Sequence, residues 1–250
     1  MIALFDSGNT RLHFGWWDGS VLIDPVSVPY PASHELLNDF VMALFAHRKP
    51  HRAAACSVNS RWREPLFRAI YEVVKDGLFT ARKASDFGLN VYYENPAAYG
   101  VDRALAAYVA YEMYYRDSCI IIDAGTAVTV DAVAQDGTVL GGYIFPGAEA
   151  LIHGLSSLTD LPSVKPDFDS LGIGRTTEQC ISCAAAMGLT GAITRLVAFL
   201  GEIIGTTDRV IITGGGAEAI MKQFPFRMTY RRFLVLEGLG YAFERLPKYA

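Results

Sequence analysis

IALFDSGNT, residues 2–10, runs from an unbroken apolar stretch straight into Asp-Ser-Gly-Asn-Thr. IIIDAGTA, residues 120–127, repeats the design: apolar run, Asp-x-Gly, then Thr. Asp6 and Asp123 are 117 residues apart, as are Gly8 and Gly125. Each stretch continues in loose apolar/polar alternation and reaches an Asp-Gly pair, Asp18-Gly19 and Asp136-Gly137, before another β-prone run. Asp-Gly between alternating runs is a hairpin signal. Four features in the same order, half a chain apart, predict an internal duplication.

Outward from each repeat, the pattern turns from strand to helix. ASHELLNDFVMALFAHR (32–48) has helical spacing with Ser33 placed to cap it, HRAAACSV (51–58) reads as a strand, and REPLFRAIYEVVKDG (63–77) as a helix. A helix follows over 102–116, then another near 177–201, the strand RVIIT (209–213), a helix over AEAIMKQF (217–224), and a final FLVLEGLGYAFERL. Strands alternating with helices predict an α/β fold of two duplicated lobes, residues 1–116 and 117–250, around a ligand cleft.

Composition narrows the partners. The 250-residue chain is 51% hydrophobic and 19% charged, with a net charge of −4, so it buries a sizeable core and has no basic stripe for nucleic acid. The one dense basic stretch, HRKPHR (47–52), reads as a solvated loop. Asp6 interrupts any signal-peptide core, and no apolar run reaches the roughly 18 residues of a membrane span. Four cysteines, with the C-x-x-C of Cys180 and Cys183 read as small apolar side chains on a helix, predict no disulfide framework and a reducing cytoplasm.

A Gly and hydroxyl loop after a strand offers backbone N–H groups and Ser/Thr donors to phosphate, and glycine lets the anion approach closely. The Asp of each loop repels phosphate unless a cation bridges them, which makes Asp6 and Asp123 candidate Mg²⁺ or monovalent-ion ligands; the other reading is two turn-forming aspartates. RVIITGGGAEAI (209–220) adds a strand, a triple glycine and a helix start. VYYENPAAYGVDRALAA (91–107) sets Asp102 beside Arg103 after two tyrosines: either an N-cap, or a base for a hydroxyl next to a clasp for a carboxylate. The chain has no G-x-x-x-x-G-K-[ST], and no G-x-G-x-x-G opens a helix after the first strand, which counts against a P-loop kinase and a dinucleotide enzyme.

Taken in order, DSGNT, GVDR, DAGTAVT, GGYIFPG and TGGGA resemble the type III pantothenate kinase family, across essentially the whole chain. That family belongs to the acetate and sugar kinase/Hsp70/actin superfamily, so the resemblance implies two ribonuclease H-like (actin-like ATPase) lobes around a nucleotide cleft. It implies that Asp6, Ser7, Gly8, Asn9, Thr10, Arg11, Leu12 and His13 form the first ATP phosphate loop, with Asp6 holding Mg²⁺ directly or through water. Gly125 and Thr126 would meet ATP phosphate, Gly214 and Gly215 the adenosine, and Asp123 a monovalent cation, K⁺ or NH₄⁺. Tyr93, Gly100, Val101, Asp102 and Arg103 would bind pantothenate, with Asp102 as catalytic base. Thr177 matches a substrate-contacting threonine, with Thr176 the neighbouring alternative. The implied reaction is phosphorylation of pantothenate by ATP, in a cytoplasmic homodimer with no nucleic-acid or membrane partner. Two rivals are a kinase or phosphohydrolase of the same superfamily with another substrate, and a non-catalytic nucleotide-binding regulator. A panel of acceptors separates the first; the intact acid in GVDR argues against the second.

Overall fold

The computed structural model describes residues 1–46 and 48–246; His47, first residue of the basic stretch, lies outside the described residues. The chain forms two compact units. Among the described residues, the first contains Met1–Arg116, Gly137–Val139 and the chain from Phe233 to Leu246; the second contains Asp117–Asp136 and Leu140–Arg232.

In the first unit, β1 (Ile2–Ser7) pairs antiparallel with β2 (Arg11–Trp17), and β2 pairs antiparallel with β3 (Leu22–Pro29). The other side of β1 pairs parallel with β4 (Ala53–Ser57), and β4 with β5 (Leu78–Ala81), giving the order β3-β2-β1-β4-β5. The second unit repeats this plan with β6 (Cys119–Ala124), β7 (Ala127–Val133), β8 (Val139–Pro146), β9 (Val210–Thr213) and β10 (Thr229–Tyr230), ordered β8-β7-β6-β9-β10. Here too the central strand is antiparallel to its hairpin partner and parallel to its other neighbour. Asp6 faces His13 and Cys56 in register; Asp123 faces Thr129 and Thr213. The duplication is therefore one of topology as well as of sequence, with the second hairpin turn one residue tighter than the first.

The strands read as apolar runs because they are covered. All six residues of β1 are buried. Helices α1 (His34–Phe45) and α2 (Ser60–Val74) send Leu37, Val41, Leu66 and Ile70 into one core with Phe5, Leu12 and Phe14, each such side chain contributing about 1.5–3 kcal/mol. Ser33 caps α1, its side chain accepting from Leu36 N. The helix expected from residue 63 starts at Ser60, behind an Asn59 cap. The helix expected over 102–116 is α3 (Val101–Val109) continued by a π-helical turn, Ala110–Tyr115.

The second unit holds α4 (Ala148–Leu158), α5 (Thr177–Ile204) and α6 (Ala217–Ile220). The sequence division at 117 puts the last helix, α7 (Leu234–Arg245), in the second half, but it packs in the first unit. The cause is close packing: a Cβ on Gly238 would meet Leu105 of α3, and one on Gly240 would meet the Trp17 ring at 2.5 Å. The helix expected over 217–224 is cut to the four residues of α6 and a 3₁₀ turn, Met221–Gln223, too short to supply a helix-end field.

Contrary to the sequence reading, α5 is long and apolar enough to cross a membrane by length and composition. One of its faces, with Leu189, Ile193, Val197 and Leu200, packs in the core with Ile120, Ile122, Val128 and Val130 of the sheet. All four cysteines are free thiols. Cys180 is exposed rather than packed in a core; its thiol lies 3.5 Å from the Gly174 carbonyl, and that of Cys183 lies 3.5 Å from the Ser170 carbonyl.

Candidate active site

The first loop is the β1–β2 turn. Gly8 N donates to Arg11 O at 3.1 Å, so Asn9 and Thr10 form the exposed tip. The Tyr30 hydroxyl donates to Gly8 O at 2.6 Å, and Asn59 Nδ2 donates to Asn9 O at 3.0 Å. Peptide groups are planar and trans, so each N–H points opposite to the carbonyl of its own peptide. With the carbonyls of Gly8 and Asn9 turned onto Tyr30 and Asn59, the N–H groups of Asn9 and Thr10 turn the other way. That is the geometry of an anion-binding turn.

Beneath the loop lies a buried polar layer. Ser7 Oγ is 2.7 Å from the Tyr30 hydroxyl and accepts from Ser57 Oγ at 3.0 Å. The Cys56 thiol donates to Asp6 Oδ1 at 3.4 Å. Burial pushes the Cys56 thiol well above its usual range, and the charges of Asp6 and Asp102 push it the same way. Cys56 is thus a neutral thiol, not a nucleophile, and the carboxylates of Asp6 and Asp102 share its neighbourhood.

Two expected loop residues face elsewhere. Leu12 is fully buried in the core, so its side chain is not available to a nucleotide. Arg11 reaches along the sheet, its Nε donating to Ser27 Oγ and its Nη2 to Ser27 O, both at 2.7 Å. His13 sits half-buried opposite Asp6, its ring edge-on to Phe233.

The substrate loop of the same unit leads into α3. The N-cap is Gly100, with no side-chain cap, so Asp102 is a first-turn residue rather than the cap itself; its Oδ1 accepts from Arg103 N at 2.7 Å. Arg103 is a buried cation, 8% exposed, whose guanidinium carbon stands 4.5 Å from the centre of the Tyr99 ring. Tyr99 in turn meets Tyr93 edge-on, with centroids 5.2 Å apart. Tyr93 is exposed, whereas Val101 points into the core and leaves only its backbone for a ligand.

In the second unit, Gly125 N donates to Ala127 O, and Gly125 and Thr126 lie exposed at the β6–β7 turn. Gly147 N donates to Thr126 O at 2.9 Å, and a Cβ on Gly147 would stand 2.6 Å from Gly125 O. The last glycine of GGYIFPG therefore braces this loop from the side its carbonyls face. Gly214 has φ +93°, and a Cβ there would meet Asp123 Oδ1 at 2.5 Å and Ala124 O at 2.6 Å. Gly215 beside it is open. Thr176 caps α5, its side chain accepting from Gln179 N at 3.3 Å, while Thr177 is exposed on the first turn.

Sequence reasoning missed Tyr30, Cys56, Ser57 and Asn59 beneath the first loop, and Tyr99 in the substrate loop. Cys56 and Ser57 carried one signal: they end a strand that parallels β1 in register.

Comparisons with known proteins agree with this architecture. The family model for Type III pantothenate kinase matches residues 2–198. A relative of that description from Desulfatibacillum aliphaticivorans is 31% identical over 260 residues, covering 98% of this chain and 99% of its own length. Another, from Alcanivorax borkumensis, is 37% identical over 155 residues, 62% of each chain. Among solved structures, a Baf-family protein from Campylobacter jejuni, named for a transcriptional role, superposes with a TM-score of 0.63 at 19% identity, covering 98% of this chain and 99% of that one. A ROK hexokinase from Thermus thermophilus gives 0.51 at 16% identity, covering 96% and 97%. At these identities the structural matches speak to the fold alone, that of two ribonuclease H-like lobes.

Proposed function

We propose residue roles for a chain that belongs to the type III pantothenate kinase family and phosphorylates pantothenate with ATP. The product is 4'-phosphopantothenate, in the first step of coenzyme A biosynthesis. The observation that carries the assignment of roles is the buried Cys56 thiol, which donates to Asp6 Oδ1 at 3.4 Å and feels the charge of Asp102 as well. One carboxylate lies one residue before the end of the strand that enters a phosphate-type turn, and the other lies in the first turn of a helix beside a buried arginine.

Asp102 accepts the proton of the pantothenate primary hydroxyl as that oxygen attacks the γ-phosphorus of ATP. Arg103 holds the substrate carboxylate by its N–H edge, and Tyr93, Gly100 and the Val101 backbone complete the pocket. The turned-out N–H groups of Asn9 and Thr10, with Ser7, Gly8 and His13, receive phosphate oxygens. Gly125 and Thr126 do so in the second unit, Gly214 and Gly215 lie against adenosine, and Thr177 contacts substrate. Arg11 and Leu12 contribute through their backbone.

The carboxylate of Asp6 is a hard oxygen donor of the kind that holds Mg²⁺ through one or two protein ligands and substrate phosphates, and it fits that ion. Asp123, with Gly214 folded tightly against its Oδ1, fits a monovalent cation, K⁺ or NH₄⁺. Such cations neutralise charge that develops on the transferring phosphoryl group.

The chain acts as a cytoplasmic homodimer. Supporting this, α5 leaves the large apolar side chains Met187, Phe199 and Ile203 exposed outside the core, available to a second copy. The sugar-kinase and regulator readings find no support in the family match.

Asp102→Asn tests the base. Asn keeps an oxygen for Arg103 N but takes up no proton, so turnover falls by about 10²–10⁴-fold while Mg·ATP affinity is retained. Unchanged turnover refutes the assignment.

A further inference from the structure

Tyr99 stands between two residues given substrate roles above. The Arg103 guanidinium carbon stands 4.5 Å from the centre of its ring, and the Tyr93 ring lies nearly perpendicular to it with centroids 5.2 Å apart. Tyr99 is 1% exposed and Arg103 8%, so their contact is shielded from water. A cation over an aromatic face gains most when it is desolvated. Arginine is suited to this because its flat face stacks while its edge N–H groups stay in plane for a carboxylate.

A buried guanidinium on a flexible stem loses rotamer freedom when it binds, and a fixed ring beneath it takes up that cost before the substrate arrives. Tyr99 is also anchored independently of α3: it closes the 3₁₀ turn Pro96–Ala98, its N donating to Pro96 O at 3.3 Å. The backbone that carries the ring is therefore held by the loop and that of Arg103 by the first turn of α3.

We propose that Tyr99 is a positioning residue for pantothenate: its π face fixes the plane of the Arg103 guanidinium and, through the edge contact, the Tyr93 ring. The inference rests on the assignment of Arg103 to the substrate carboxylate. It places the determinant of pantothenate affinity one layer behind the residues that touch the substrate.

The test separates ring from bulk. Tyr99→Phe keeps the π face and leaves the pantothenate KM near that of the wild type. Tyr99→Leu removes the face and raises that KM by about 2- to 30-fold, with the Mg·ATP KM unchanged. Ring-fluorinated phenylalanines at position 99 keep shape while draining the π face, so they preserve folding where leucine does not; the pantothenate KM then climbs with each added fluorine. A flat series, or equal losses for both substrates, overturns the inference. Arg103→Ala is the control for the underlying assignment: if it leaves pantothenate binding by calorimetry unchanged, that assignment falls and the inference with it. If it weakens binding while the fluorinated series stays flat, only the inference falls.

Discussion

Tyr30 shows how much of the first loop is held from a distance. Its hydroxyl reaches Gly8 O and Ser7 Oγ, and burial pushes its pKa up to about 12, with the charge of Asp6 acting in the same direction. An unfolded tyrosine loses its proton near 10, so between 10 and 12 the unfolded chain releases a proton that the folded chain keeps. The stability owed to neutral Tyr30 is complete below pH 10 and drains as pH rises toward 12. Tyr30→Phe removes that titration, and its urea midpoint is expected to fall less steeply than that of the wild type over this range. Parallel curves contradict the buried, neutral phenol. At this scale the sequence showed the residues that act through their own loop, Asp6, Gly8, Asp102 and Arg103, because their signal is local. Tyr30, Cys56 and Asn59 were illegible because their partners lie 22, 50 and 50 residues away. Nothing local marks a tyrosine that props a distant turn.

The turn between β9 and α6 makes the case for elements. Two adjacent glycines look equivalent in TGGGA, yet their surroundings are opposite. Gly214 has φ +93°, with Asp123 Oδ1 and Ala124 O inside contact distance of any Cβ, whereas a Cβ on Gly215 meets nothing within 4 Å. Gly214→Ala therefore adds backbone strain of about 1–3 kcal/mol and pushes on Asp123. Gly215→Ala stays within about 0.5 kcal/mol of the wild type, like surface changes generally. Thermal unfolding of the two variants side by side checks this; equal effects refute the reading of Gly214 as the constrained member. Strands and long helices were legible here because burial imposes apolar runs on β1 and β6 and a periodic face on α2. The shortness of α6 was not, since AEAIMKQF has helical propensity throughout and tertiary context ends the helix at Ile220.

For the whole molecule, duplication is the organising fact. An aspartate at the same place on each central strand, followed by a Gly turn, recurs 117 residues later with the same strand order. That symmetry was visible in sequence because both copies kept the turn residues. The allocation of α7 to the first unit was not, because it depends on glycines meeting Leu105 and Trp17 far along the chain. Within the duplicated plan the two aspartates have diverged in neighbours, Cys56 beside Asp6 and Thr213 beside Asp123. The account gives them different ions.

The measurement that tests this most directly is ADP release from Mg·ATP by the purified protein, with and without pantothenate, in potassium and then in sodium buffer. The account predicts release that requires pantothenate and is faster in potassium. Release indifferent to pantothenate would contradict the kinase assignment, and equal pantothenate-dependent rates in both salts would contradict the monovalent-cation role of Asp123.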